Sequence, residues 1–319
     1  MVAGVLVDQT VTAAIAGMGV ALPEARLTNA DLEATLDTSD EWIVERTGIR
    51  ERRIAADGET SVTLAVEAGT RAIKDSGLAP GDIGLLIVAT LSPPQRLPAA
   101  AAFVQNGIGL DCGAFDLNAA CSGFVYALVM ADAFLGAGRA DSVLVIGSEV
   151  LTPLVDPGDR TTRILFGDAA AAAVLVAAPE GFGLLGCDVG CDGSAAGILE
   201  IGPGQPYVRM EGNEVFRRAV RACSESAAVA LAKSGLSAAD VDLFVPHQAN
   251  GRIIDAVVSR LGIAPDRVAR NVERYGNTSA ASIPLALAEA APAHGDIVLL
   301  SGFGAGMTWA SAVLRWCSA

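Results

Sequence analysis

Apolar positions along the chain fall into two alternating patterns. Short, almost unbroken apolar runs at 12–20, 143–148, 169–177 and 297–302 predict strands buried on both faces. Between them, mixed segments with helical spacing predict helices at 29–36, 40–47, 60–76, 121–137, 212–234, 248–261 and 278–291. The helix at 40–47 carries its own punctuation: Thr38 and Glu41 have the spacing of a capping box, and Gly48 supplies a stop. Such β/α alternation predicts an α/β fold.

The pattern also repeats. SGLAPGDIGLLIV at 76–88 is echoed by SGLSAADVDLFVP at 234–246, an offset of 158 residues. DSVLVIGSE at 141–149 resembles GDIVLLSGF at 295–303, and NAACSGF at 118–124 falls opposite GNTSAAS at 276–282, with Cys121 landing on Ser279. Three echoes in order favour an internal duplication over chance likeness of common segments. They divide the chain into an N-terminal half, 1–178, and a C-terminal half, 179–319, with no linker between them.

Composition narrows the possibilities. Hydrophobic residues make up 52% and charged residues 18%, which excludes a disordered chain. Lys and Arg number 22 against 36 Asp and Glu, and the net charge of −14 argues against general nucleic-acid binding. Every apolar run is too short or too interrupted to cross a membrane. No basic residue precedes Arg26, so the N-terminus lacks a secretory pattern and the chain reads as cytoplasmic. Six scattered cysteines without a CxxC pair suggest reduced thiols, and two histidines leave little for a metal site.

Four features could carry chemistry. Cys121 follows an apolar strand at 115–117 and opens a helical pattern among small residues, where unpaired N–H groups and the helix dipole favour a thiolate. A buried packing cysteine is the competing reading. His247, in VPHQANGRI, sits between a strand and a helix, where an α/β site places such a group. Asn277 occupies the duplicated counterpart of the cysteine turn and suits either a helix cap or an amide donor. SGFGAGMTW at 301–309 is a Gly-rich turn whose N–H groups could hold an oxyanion, or an ordinary turn. Neither a Walker loop nor a GxGxxG after the first strand is present, so nucleotide-driven and NAD chemistry lack support.

Taken together, TSDEWIVERTGIRERRIA (38–55), AACSGF (119–124), FGDAAAA (166–172), VPHQANGRI (245–253), YGNTSAASIPLAL (275–287) and GFGAGMTW (302–309) closely resemble the β-ketoacyl-ACP synthase III family of thiolase-superfamily condensing enzymes. The resemblance implies a thiolase-like five-layer αβαβα fold built from two duplicated halves, and a homodimer. It implies that Cys121 accepts an acyl group from acyl-CoA, and that His247 and Asn277 then stabilise the enolate formed as malonyl-ACP loses carbon dioxide. This chemistry starts fatty-acid or polyketide chains. The N–H groups of Cys121 and Ala305 would hold the oxyanion, and Phe303 would keep the decarboxylation site apolar. Trp42, Arg46, Arg160, Gly212, Asn213 and Asn250 would contact CoA. Arg217, Arg218, Arg221, Arg252 and Arg260 would form a patch for an acidic carrier protein. No cofactor beyond the CoA thioester substrate and no metal is implied. An acyltransferase of the same fold, passing the acyl group to a hydroxyl, amine or carrier thiol without decarboxylation, is the alternative.

Three departures bear on the substrate. Ala305 stands where many members have glycine, which leaves the N–H in place. Leu97 replaces an aromatic residue of the acyl pocket, and the segment 191–208 is short. The last two put primer length and branching in question and would widen the pocket.

Overall fold

The computed structural model describes residues 11–317. Of the N-terminal stretch before Arg26 read for a leader, residues 1–10 lie outside the described residues. In the first half, strands β1 (Ala13–Ala21), β2 (Leu85–Ala89), β3 (Gly113–Leu117), β4 (Ser142–Glu149) and β5 (Ala169–Ala177) form one sheet in the order β1-β5-β4-β2-β3. Strand β2 runs parallel to β3 and β4, while β5 is antiparallel to both β4 and β1. In the second half, β6 (Gly183–Cys191), β7 (Leu243–Pro246), β8 (Ile297–Gly304) and β9 (Thr308–Arg315) form a sheet in the order β7-β8-β9-β6. That order repeats the first sheet without its outermost strand β3.

Both sheets are covered on both faces, which is why their strands read as continuous apolar runs. Helices α1 (Asp40–Thr47), α2 (Ser61–Ser76), α3 (Ala100–Ile108), α4 (Gly123–Gly136), α5 (Gly212–Lys233), α6 (Gly251–Leu261) and α7 (Ser282–Ala290) divide among three layers. Helices α4 and α7 are sandwiched between the sheets, with Phe124, Leu128, Ile283 and Leu287 buried against strands of both. Helices α2 and α3 cover the outer face of the first sheet, and α5 and α6 that of the second. The result is the five-layer αβαβα arrangement. Alanine makes the close stacking possible: Ala169 to Ala173 in β5 are all fully buried.

Local details correct the sequence reading in three places. Helix α1 is capped by Ser39, whose hydroxyl accepts from the Trp42 N–H at 3.1 Å, and not by Thr38. The Gly48 stop is as expected, at φ 75°. The first expected helix spans only Asn29–Glu33. The repeat is also shifted by one residue at the cysteine turn. Ala120 and Ser279 share the left-handed conformation, at φ 46° and 48°, and each N–H bonds the side-chain oxygen of an asparagine two residues earlier, Asn118 or Asn277. The structural counterpart of Ser279 is therefore Ala120, an offset of 159, and Asn277 answers to Asn118.

Candidate active site

Cys121 and His247 lie just beyond the ends of strands, whereas Asn277 follows a short helix, Val272–Tyr275, and precedes the turn Ser279–Ala281. Cys121 belongs to a single 3₁₀ turn, Ala120–Ser122, between β3 and α4, so the helix proper begins two residues later than the thiol. The turn is held against the second half by side-chain oxygens. The Ser122 and Thr308 hydroxyls are 2.9 Å apart, and each lies within hydrogen-bond reach of the Ala119 carbonyl, at 2.7 and 2.9 Å. Gly304 lets the two backbones meet, since a Cβ there would stand 2.6 Å from the Cys121 nitrogen. Strand β8 thereby delivers Ala305 to the cavity that Cys121 lines.

His247 follows β7 and is 3% exposed. Its backbone N–H donates to the Ser301 carbonyl at 2.8 Å, and its Nδ1 lies 2.6 Å from the Ser282 hydroxyl. With that hydroxyl donating to Nδ1, the ring proton sits on Nε2. Burial drives the imidazole pKa down to about 3, so the ring is neutral near pH 7. The Phe303 ring meets it edge-on at 5.7 Å between centroids. Asn277 is anchored through its backbone: its N–H donates to Leu165 and its carbonyl accepts from Gly167. Its Oδ1 accepts from Ser279, which leaves the Nδ2 amide as a donor.

Cys121, His247, Asn277, Phe303 and Ala305 line one cavity of about 970 Å³. The arrangement combines a nucleophile, two neutral donors and backbone N–H groups, the set needed to stabilise negative charge on a thioester oxygen. One expectation changes. Burial pushes the Cys121 thiol up to about 12, against the lowering expected from a helix start, so the resting group is a thiol.

The same cavity runs out past Trp42, Arg46, Gly212, Asn213, Asn250 and Arg252. Two guanidinium groups approach the Trp42 ring, with the Arg46 carbon 4.3 Å and the Arg160 carbon 5.1 Å from its centre. Arg160 stands outside the cavity lining and also donates to Asp37. The Asn250 side chain is already engaged, capping α6 through Arg252 N–H and donating to the Arg46 carbonyl. Of the five patch arginines, Arg217 and Arg218 pair with Glu214, Arg218 also with Asp192, and Arg260 with Glu225. Arg252 rests over Phe216 at the cavity edge, and Arg221 is exposed without an ion pair among the described residues.

Within this chain Leu97 is 85% exposed and stands outside the cavity lining. The loop carrying it projects away from its own site. The apolar lining comes from residues that no sequence pattern groups, among them Leu91, Leu154, Val155, Val208, Met210 and Phe216. They come from several separate segments. The segment 191–208 contributes Leu199, Glu200, Ile201 and Val208 to that wall.

The similarity to known proteins extends along nearly the whole chain. The descriptions of 3-oxoacyl-[acyl-carrier-protein (ACP)] synthase III and of its C-terminal region match residues 115–193 and 231–316. The β-ketoacyl-[acyl-carrier-protein] synthase III of Symbiobacterium thermophilum is 47% identical, over 95% of this chain and 97% of that protein. The crystal structure of the Aquifex aeolicus 3-oxoacyl-[acyl-carrier-protein] synthase III superposes with a TM-score of 0.93 at 44% identity, covering 95% of this chain and all of that one. A priming β-ketosynthase of the R1128 polyketide pathway superposes at 0.92 with 37% identity, covering 96% of this chain and 97% of that one. With this identity along nearly its whole length, the chain belongs to the β-ketoacyl-[acyl-carrier-protein] synthase III family.

Proposed function

We propose that the protein catalyses the first condensation of fatty-acid synthesis, joining an acyl group from acyl-CoA to a malonyl unit carried on acyl carrier protein. The convergence of Cys121, His247, Asn277 and the Ala305 turn in a single cavity carries this reading. The Cys121 sulfur attacks the acyl-CoA carbonyl, the N–H groups of Cys121 and Ala305 receive the oxyanion, and CoA leaves. Malonyl-ACP then occupies the vacated arm. A neutral His247 Nε2–H and the Asn277 amide donate to its thioester oxygen as carbon dioxide departs, and Phe303 keeps the carboxylate poorly solvated. The enolate carbon attacks the acyl-enzyme and releases Cys121. A pure acyl transfer needs only the nucleophile and oxyanion donors, so the retained His–Asn pair favours condensation.

Trp42, flanked by Arg46 and Arg160, suits adenine and its phosphates. Gly212, Asn213 and Asn250 border the path of the pantetheine arm. Arg221 and Arg252 are the patch residues left to meet an acidic carrier protein, since the other three are paired within the chain. We place the protein in the cytoplasm, with no cofactor or metal. Among the described residues no helix is long and apolar enough to cross a membrane. We also propose a homodimer, in which a second copy covers the edge strand β3 and the exposed Leu97 and Phe103. Light scattering would then give twice the 32.4 kDa chain mass.

The catalytic reading is tested by incubation with a panel of acyl-CoAs and peptide mass analysis. An acyl group on Cys121, absent from Cys121→Ala, is the expected result. Acylation elsewhere, or none with any primer, would overturn the site.

A further inference from the structure

Arg52 lies in the short strand Glu51–Arg53, opposite Leu27, and is fully buried. A buried charge is ordinarily paired, yet the partners of this one are neutral oxygens. Its Nη1 donates to the Leu27 carbonyl at 3.1 Å and to Asn29 Oδ1 at 2.9 Å, and its Nη2 donates to the Ile164 carbonyl at 2.6 Å. Its Nε has no partner. The neighbouring carboxylate, Glu51, is spent on Arg26 at 3.0 Å. Burial, and next the charge of Arg163, lowers the guanidinium pKa to about 10, with Glu51 acting the other way, so the group is a cation at neutral pH. A lone buried cation is costly, and an apolar side chain of similar volume would avoid that cost. What the guanidinium adds is a rigid fork, which here joins residues 112 positions apart in the chain.

One end of the fork holds the segment that carries Asn277. Ile164 is followed by Leu165, whose carbonyl accepts from the Asn277 N–H at 2.8 Å, and the Gly167 N–H donates to the Asn277 carbonyl at 3.0 Å. Phe166 and Asn277 thereby form a short parallel bridge. Both backbones lie against the Arg52 side chain: a Cβ on Gly167 would stand 3.0 Å from the Arg52 Cβ, and one on Gly276 would stand 3.4 Å from it. The other end is fixed as well. Asn29, which accepts from Nη1, donates through Nδ2 to Asp40 Oδ1 at 2.7 Å and to the Ile49 carbonyl at 2.8 Å. Arg52 therefore ties the bridge at Asn277 to the first residue of α1.

The Asn277 amide depends on such a brace. Its Oδ1 accepts from the Ser279 N–H at 2.9 Å, a bond within the same turn that moves with the backbone. The direction of Nδ2 therefore follows the position of the bridge. Cys121 and His247 are held by other contacts, through Ser122 and Thr308 at the cysteine turn and through Ser301 and Ser282 at the histidine. None of these is a hydrogen-bond partner of Arg52. We propose that Arg52 is a positioning residue for Asn277, aiming its amide at the malonyl thioester oxygen, while acylation of Cys121 depends on a separately held part of the cavity. This rests on the proposed condensation, in which Asn277 acts after the acyl group is loaded.

The test uses two substitutions. Arg52→Lys keeps a buried cation but replaces the fork by a single nitrogen, and Arg52→Met removes the charge and the donors at similar volume. Each is made alone and together with Asn277→Ala. Two steps are read separately: Cys121 acylation at saturating acetyl-, isobutyryl- or hexanoyl-CoA, by quench and intact mass, and carbon dioxide release when the acyl-enzyme meets malonyl-ACP. Both variants should acylate within about threefold of wild type and release carbon dioxide at least roughly tenfold more slowly, as expected when a positioned group is misplaced. With Asn277→Ala already present, the same changes should alter release by less than about twofold, because the group they misplace is gone. A merely structural arginine would slow both steps alike, or slow release by the same factor with and without Asn277, and either result would overturn the proposal. Release within about twofold of wild type in either folded variant, or failure of both variants to fold, would overturn it too. Wild-type acyl-enzyme that releases no carbon dioxide from malonyl-ACP would overturn the condensation itself.

Discussion

Replacing Gly304 with alanine tests how closely the oxyanion site is built. Gly304 is in extended conformation at φ −156°, so alanine meets no backbone penalty and the effect is steric. Its Cβ would lie 2.6 Å from the Cys121 nitrogen and 2.8 Å from the Ala120 Cβ. Ordinary contact begins at 3.4 Å, so the Cys121 turn and β8 must separate by roughly 0.8 Å. The displaced nitrogen is itself a proposed oxyanion donor. A shift of about 1 Å in a positioned group costs on the order of 10²-fold in rate, or about 2.7 kcal/mol. Gly302→Ala is the comparison: its Cβ would meet the Ile283 side-chain end at 3.0 Å and the Cys121 carbonyl at 3.4 Å, contacts that small adjustments relieve. Single-turnover acylation from acyl-CoA, read by intact mass alongside thermal unfolding, should show Gly304→Ala far slower than Gly302→Ala, with both folded. A Gly304→Ala protein that acylates within about threefold of wild type would refute the reasoning.

Three further outcomes follow from the site. His247→Ala should slow malonyl decarboxylation by roughly 10²- to 10³-fold, the loss expected for one preorganised donor, with a smaller effect on acylation of Cys121. Trp42→Ala should raise the KM for acyl-CoA about five- to tenfold and change kcat less, because a ring flanked by two guanidiniums supports binding remote from the reacting carbon. Two of the buried titratable groups, His247 and Glu149, have opposite effects on stability. His247 has a lowered pKa, so its contribution is present above about pH 6.5 and is lost as pH falls towards 3; Glu149 has a raised one, so its contribution is present below about pH 4.5 and is lost as pH rises through 7. Denaturant titrations should therefore show Glu149→Gln losing less stability than wild type between pH 4.5 and 8, by at most about 3 kcal/mol.

The layered fold was legible because strands buried on both faces have an unmistakable composition, as in the alanine run of β5. Cys121 and His247 stood out because each follows a strand, where the chain must turn and a polar side chain is conspicuous, and Asn277 stood out through the repeat, opposite the cysteine turn. What stayed hidden depends on geometry between distant segments. The cap at Ser39 instead of Thr38 turns on one residue of backbone conformation. The repeat register slipped by one at the cysteine turn because the shared feature is a left-handed residue, taken by alanine in one half and serine in the other. The thiol pKa depends on burial, which the helix-start argument omitted.

Within a chain of net charge −14, Arg46 and Arg160 stand against Trp42 and Arg252 against Phe216, both rings lining the cavity. The central claim, decarboxylative condensation on an acylated Cys121, is tested most directly by stoichiometry. Acyl-enzyme prepared with the preferred acyl-CoA and freed of CoA is mixed with malonyl-ACP, and carbon dioxide and β-ketoacyl-ACP are counted together. One of each per acylated Cys121 is the predicted result. Loss of the acyl group to the carrier without carbon dioxide release would contradict it.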